Sequence, residues 1–344
     1  MHARREEYTK FINLAGENFA AKFNDGSCPK VSITKITFDG EVGSGSFGEI
    51  YKVRIQGQVY AAKAQPWDIV ELSLFEKNLL RAMSHPCIIQ IHFTSKDVDK
   101  TFLILDFSPF GDLGRAMKDQ MGVKKDMPED ICKKYVAQAI LALEYVHACN
   151  IIHHDVKPEN FLIFPKGRLK LSDFGVSRFA RPNMTFVTGS INYISPEMYR
   201  RIPHNEAVDW WALGVMMYYM LVSQYPFPGV PFSRGDTDEQ VAEKIQEAFR
   251  HPKYCSLTED AKDFLTKILE RDHTKRLGIF KDGSRDVKYH AWFGDIDYCR
   301  IYFDPDFTIL EEDRLPPPIT TTHVVVFRIP PSSERLADPD FFEF

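Results

Sequence analysis

At 344 residues, with 44% hydrophobic and 26% charged positions, the chain has the composition of a folded protein long enough for two lobes or two small domains. A net charge of −5 argues against a dedicated nucleic-acid binder, and the short basic clusters at Lys124-Lys125, Lys133-Lys134 and Arg200-Arg201 form no continuous stripe. The six cysteines lack the close pairs of a zinc site or disulfide scaffold, no apolar run reaches membrane-spanning length, and His2 leaves no second-position glycine for myristoylation. A cytoplasmic or nuclear protein without membrane insertion is expected.

In chain order, residues 4–23 carry Tyr8, Phe11, Ile12, Ala15, Phe19 and Phe23 at steps of three and four, which predicts one amphipathic helix that docks on the rest of the protein. Asn24-Asp25-Gly26-Ser27 ends it. From about 38 to 107 the pattern turns to short β-rich runs at 50–55, 59–63 and 101–105, with a hairpin turn at Gln56-Gly57 and a single helix over 68–83. Beyond Gly111 helices dominate, as in 131–147 and 210–221, with strand-like pieces at 161–164 and 169–171. This is an α+β architecture, a small β-rich N-lobe (38–107) before a larger, mostly α-helical C-lobe (108–293). After about 293 the prolines at 305, 316–318, 330 and 331 mark an extended C-terminal tail over 294–344.

Gly43-Ser44-Gly45-Ser46-Phe47-Gly48 has the spacing G-x-G-x-x-G, which also opens dinucleotide-binding folds. Here a strand beginning near Ile50 follows, where a dinucleotide site needs a helix, so a hairpin whose backbone closes over phosphates is the better reading. Alternation along the next strand puts Val59, Ala61 and Lys63 on one face, an apolar ceiling beside a single ammonium. On the following helix Ile69, Leu72, Leu79, Leu80 and Met83 form a stripe with Glu76 in its middle, whereas Glu71 lies off it. A carboxylate on a buried face demands a cation, and Lys63 is the natural partner.

In residues 153–160, Asp155 is placed to accept a proton from an attacking hydroxyl. Lys157 supplies positive charge and Asn160 an amide oxygen for Mg²⁺. Asp173-Phe174-Gly175, beyond a turn centred on Gly167, adds the carboxylate a hard cation takes. This ordered set, continued by Ser195-Pro196-Glu197, resembles a eukaryotic protein kinase. The resemblance implies a bilobal kinase fold using ATP and Mg²⁺, protein substrates, Asp155 as base, Asn160 and Asp173 as metal ligands, and Leu105 guarding the rear of a nucleotide pocket that includes Asp106 and Ser108. Lys157 favours Ser/Thr over Tyr substrates.

Residues 208–215, 272–278 and 290–293 are similar to the C-lobe of the AGC group, and within it to catalytic subunits of cyclic-AMP-dependent protein kinase. That likeness implies acidic substrate-binding positions at Asp112 and Glu159, a hydroxyl at Ser190 near Asp155, and a cyclic-nucleotide-binding regulatory subunit as candidate partner. It also implies that the terminal Phe341-Phe342-Glu343-Phe344 folds back beside the Glu76 helix. The chain departs from that pattern at several points. His154 replaces the arginine before the catalytic aspartate, and Phe186 stands where the relatives carry a phosphorylated threonine, with Thr185 one residue out of register. Together these suggest an activation segment held by packing rather than by phosphate. Tyr219 replaces an acidic residue that receives a substrate arginine, so a weakened basic preference is expected. In the tail, Phe303 to Phe307 fits either a Pro-rich surface tether or an aromatic anchor at the nucleotide site. A scaffold that keeps the fold without efficient transfer is the alternative to an active enzyme.

Overall fold

The structure, a computed structural model, describes residues 2–321 apart from 26, 46–47, 122–125 and 230. The expected aromatic cluster at 341–344, together with Ser46 and Phe47, lies outside the described residues.

Two helices, α1 (His2–Asn13) and α2 (Ala15–Asp25), precede the N-lobe. The single helix expected over 4–23 is thus corrected to a kinked pair. Leu14 and Asn18 still donate to carbonyls four residues back, so the backbone ladder nearly continues through the bend. The kink sits where the chain meets the end of a C-lobe helix: a Cβ on Gly16 would lie 2.8 Å from the Ala148 carbonyl oxygen, an approach only glycine allows.

Strands β1 (Thr37–Gly45), β2 (Gly48–Ile55) and β3 (Gln58–Pro66) lead into helix α3 (Val70–Ala82), then β4 (Ile91–Lys96) and β5 (Lys100–Asp106). They form one five-stranded antiparallel sheet in the order β1-β2-β3-β5-β4. Gln56 and Gly57, with φ of 51° and 83°, make the two-residue left-handed turn that matches the twist of a β2-β3 hairpin. One face of the sheet buries Val53, Ala62, Phe102 and Ile104 as a separate small core.

The C-lobe holds α4 (Leu113–Met121), α5 (Glu129–Ala148), β6 (Ile151–Ile152), β7 (Phe161–Phe164), β8 (Arg168–Leu171), β9 (Arg178–Phe179), α6 (Pro196–Tyr199), α7 (Ala207–Val222), α8 (Asp238–Ala248), α9 (Pro252–Cys255), α10 (Glu259–Ile268), α11 (Ser284–Lys288) and α12 (Tyr298–Phe303). The centre is α5 against α7: α7 is buried along nearly its whole length and α5 from Tyr135 to Val146, which explains why neither shows a clean polar face over those stretches in sequence. Strand pairs β6-β9 and β7-β8 lie on this helical base and frame the loops that carry Asp155 and Asp173. Together the β-sheet lobe and helical lobe make the bilobal kinase fold.

The leading helices staple the lobes. The Tyr8 hydroxyl donates to Glu144 at 2.5 Å, and Lys288 reaches both oxygens of the same buried carboxylate at 2.7 and 2.8 Å. Phe11 stacks on Tyr145 at 5.5 Å, and Phe23 meets both Phe75 of α3 and Phe179 of β9. The tail runs behind the C-lobe: Ile309 and Leu310 donate backbone N–H groups to the Lys166 carbonyl, and Arg300 covers the Phe307 ring at 4.3 Å. Within 303–307 the Arg168 guanidinium donates to the Asp304 carbonyl and Lys166 pairs with Asp306 at 2.7 Å, and the chain then reaches Pro109, whose carbonyl accepts from Ile319. No helix among the described residues is long and apolar enough to cross a membrane.

Candidate active site

Lys63 lies on β3 opposite Ile50 of β2 and Leu103 of β5, at the centre of the sheet. Its ammonium is 2.8 Å from both Glu76 oxygens and 2.8 Å from Asp173 Oδ1. Glu76 is 1% exposed, while Glu71 sits at the surface. Burial pulls the Lys63 ammonium down, but Glu76 and Asp173 outweigh it and leave the group above its ordinary value, fully charged. One lysine thus ties the N-lobe helix to the loop after β8. Asp173 itself adopts φ of 60°, and burial works to raise its carboxyl while Lys63 holds it low.

Asp155 follows β6 in a loop whose backbone is pinned from below. The buried Asp209 carboxylate accepts the N–H groups of His153 and His154, both at 2.8 Å, and also the His147 imidazole at 2.8 Å. Burial works to raise Asp209, yet the His147 contact and the neighbouring imidazoles bring it down to about 2. Asp155 Oδ1 accepts the N–H and hydroxyl of Ser190 at 2.9 and 2.8 Å, and Oδ2 lies 2.8 Å from Lys157 Nζ. Lys157 also donates to Ser190 Oγ at 2.7 Å. Burial would raise the Asp155 carboxyl, but Lys157 and Ser190 keep it below the usual value and ionised.

Asn160 Nδ2 donates to the Asp155 carbonyl at 2.6 Å and to Oδ2 at 2.9 Å, which leaves its amide oxygen as an acceptor. Gly189, at φ of 95°, passes so close that a Cβ would lie 2.2 Å from the His154 carbonyl oxygen, which brings Ser190 into place. All of the sequence-predicted catalytic residues, Lys63, Glu76, Asp155, Lys157 and Ser190, therefore converge on one cleft.

Above it, Gly43, Ser44, Gly45 and Gly48 lie on the β1-β2 hairpin. A Cβ on Gly48 would lie 1.9 Å from the Ala64 carbonyl oxygen, so the hairpin needs glycine there, whereas Gly43 faces open space. Ala61 pairs with Leu105 across β3 and β5. The side chains of Asp106 and Ser108 are spent elsewhere. Asp106 accepts from His92 at 2.7 Å and Lys170 at 2.6 Å, and the Ser108 hydroxyl is held between the Gly111 and Ile163 carbonyls. What either offers a ligand is backbone. Asp112 and Glu159 lie near each other at the cleft mouth, where burial and the Glu159 charge push the Asp112 carboxyl up.

In the segment leading to Ser190, Phe186 packs 5.1 Å from the His154 ring and 5.2 Å from His204, which are themselves 5.6 Å apart. Phe186 also rests on the apolar cluster of Ile152, Met184, Ile194, Met198 and Val208. Burial pushes His154 down to about 4, with His204 and His153 reinforcing and Asp209 opposing, so the imidazole is neutral. Thr185 is exposed.

A β-sheet lobe and a helical lobe closing on a lysine–glutamate–aspartate bridge and an aspartate in a pinned loop define a protein kinase. The chain matches the protein kinase domain over residues 36–293 and belongs to that family. It is 32% identical over 266 residues to "cAMP-dependent protein kinase, catalytic subunit-like" of Caenorhabditis briggsae, covering 75% of this chain and 66% of that protein. It is 34% identical over 276 residues to cAMP-dependent protein kinase type 3 of Saccharomyces cerevisiae, covering 78% and 66%. A third relative, putative ribosomal protein S6 kinase alpha-1 of Caenorhabditis elegans, is 34% identical over 302 residues, covering 78% and 37%. The likeness is to AGC-group kinases, and the chain spans 66% or less of the length of these relatives.

Proposed function

We propose that this protein transfers the γ-phosphoryl group of ATP to serine or threonine hydroxyls of protein substrates. The carrying observation is the polar cluster on Asp155: an ionised carboxylate held by Ser190, Lys157 and Asn160 in the same cleft as the Lys63–Glu76–Asp173 bridge.

In this reading Asp155 accepts the hydroxyl proton, and Lys157 stabilises the charge that develops on the transferring group. Lys63, fixed by Glu76, holds the α- and β-phosphates, and the backbone of the Gly43 to Gly48 hairpin covers them. The donor set fits Mg²⁺: one carboxylate, Asp173, and one amide oxygen, Asn160, leave further positions for phosphate and water, as this cation prefers. Bound Mg²⁺ supplies charge neutralisation on the phosphate oxygens. Ala61 and Leu105 form the apolar wall for adenine. Because Lys63, Glu76 and Asp173 form one contact set and Asp155 and Asn160 another, with none of the five missing, an active enzyme is favoured over a scaffold.

The same cleft supports a second element of the reading, that the activation segment is docked by Phe186 packing rather than by a phosphate. A neutral, buried His154 makes a poor phosphate partner but a good ring partner. A cyclic-nucleotide-binding regulatory subunit is the proposed partner in the cytoplasm or nucleus, and its co-purification and release by cyclic AMP tests it. For the reaction, phosphate from γ-labelled ATP should enter a mixed protein pool with wild-type chain and not with Asp155→Asn. Equal labelling by both would overturn the assignment.

A further inference from the structure

Gln65 lies on β3 two residues after Lys63, so the alternation of the strand turns both side chains toward α3 while Ala62 and Ala64 face the small N-lobe core. Gln65 is 1% exposed. Its amide nitrogen donates to Glu76 Oε2 at 3.3 Å, the same oxygen that accepts from Lys63 at 2.8 Å. The amide oxygen is buried with no hydrogen-bond partner among the described residues.

A buried polar atom without a partner costs free energy, and an unbranched apolar side chain would fill the same place without that cost. The bond that the Gln65 side chain does make is the one to Glu76. The amide therefore serves the carboxylate.

An ammonium has three donors, and Lys63 places them on Glu76 Oε1, Glu76 Oε2 and Asp173 Oδ1, each at 2.8 Å. To reach phosphate oxygens, Lys63 must give up part of that set. Asp173 leaves it by serving as a metal ligand, and one bond to Glu76 gives way as the ammonium turns. Glu76 is 1% exposed, so an oxygen that Lys63 releases finds no water to replace it. A bare ionised oxygen in that place would oppose the turn. Oε2 already has its second donor in Gln65.

We propose that Gln65 is a positioning residue for phosphate binding: its amide holds Glu76 Oε2 while Lys63 turns toward the nucleotide, so the lysine changes partners without leaving a buried charge uncompensated. The proposal rests on the reading of this cleft as an ATP site. Its signature is a dependence on Gln65 that appears only with a ligand that carries phosphates.

The test is calorimetric titration of the full chain with Mg²⁺·ATP and, separately, with adenosine, which brings no phosphate for Lys63. Gln65→Met keeps the volume and removes the donor. It should weaken Mg²⁺·ATP about tenfold, the size of a hydrogen bond to a charged acceptor. Adenosine affinity and the melting temperature of the ligand-free chain should stay close to wild type, because Lys63 covers both Glu76 oxygens in that state. Gln65→Glu sets a second carboxyl against Glu76. Relative to wild type it should lose more Mg²⁺·ATP affinity at about pH 8 than at about pH 6, where the added group, raised by its neighbour, is protonated and donates again. Unchanged Mg²⁺·ATP affinity in Gln65→Met, an equal loss for adenosine, or a Gln65→Glu deficit independent of pH would each overturn the inference. Wild-type chain that binds no Mg²⁺·ATP would overturn both the inference and the ATP reading beneath it. Binding without transfer to protein would remove the reaction alone and leave the Gln65 comparison to decide.

Discussion

Replacing Phe186 by alanine removes two ring contacts, 5.1 Å to His154 and 5.2 Å to His204, together with packing on Met184, Ile194 and Val208. Aromatic pairs contribute about 0.5–1.5 kcal/mol each beyond their area, so the two contacts hold the segment by about 2 kcal/mol, or ~30-fold in its docking equilibrium. Undocking withdraws Gly189 and Ser190, and with them two hydrogen bonds to Asp155. Steady-state transfer to a protein substrate should therefore fall ~10-fold or more. Hydrogen exchange over residues 184–190 should speed up in parallel while the N-lobe sheet stays protected. Thr185→Ala, which alters an exposed side chain, should keep wild-type rates. Nearly complete phosphate on Thr185 in the active protein, with Thr185→Ala inactive, would refute this reasoning. An unchanged rate for Phe186→Ala would refute it equally.

The imidazoles give the fold an acid limit. Burial holds His154 at about 4 and His85 at about 3, below an unfolded value of about 6.5, so the folded state resists protonation. Neither group affects stability above about pH 6.5, where both states are neutral; destabilisation begins as pH falls below that value and is complete only below about 3 to 4. His154→Phe should flatten part of the fall in melting temperature between pH 6.5 and 4.5, and an identical profile would show that His154 does not contribute. Tyr8→Phe deletes the donor to the buried Glu144 while Lys288 remains, and unfolding should become easier by about 1.5–3 kcal/mol in denaturant titration. Glu76→Gln breaks a buried ion pair but leaves Lys63 on Asp173, so a loss of up to about 3–5 kcal/mol and a severe fall in kcat are expected together. Gly189→Ala should abolish transfer in a folded protein, because its methyl collides with the His154 carbonyl.

The chemistry was legible where a polar residue breaks an apolar pattern. Glu76 stands in the buried stripe of α3, and that cost alone points to Lys63, now 2.8 Å away. The same logic applies to Asp209 in the almost wholly apolar α7, yet the role of that residue is not legible in the sequence. Its partners, the N–H groups of His153 and His154, are backbone and carry no side-chain signature. His204 is likewise silent, since its importance comes from a ring that the fold brings over from a distant segment. The break between α1 and α2 at Leu14 carries no signal in the sequence, because helical periodicity continues through it and the approach of Gly16 to the end of α5 is made by the fold. Asp106 and Ser108 mark the expected strand end, but their side chains serve the fold.

The most direct measurement is the initial rate of phosphate transfer from ATP and Mg²⁺ to a protein substrate by wild-type chain first stripped with phosphatase and shown by intact mass to carry no phosphate. The arrangement of Asp155, Ser190 and Phe186 predicts full activity without a lag, abolished in Asp155→Asn. Activity absent until Thr185 or Thr188 becomes phosphorylated would contradict the packed activation segment, and activity equal in Asp155→Asn would contradict the catalytic assignment itself.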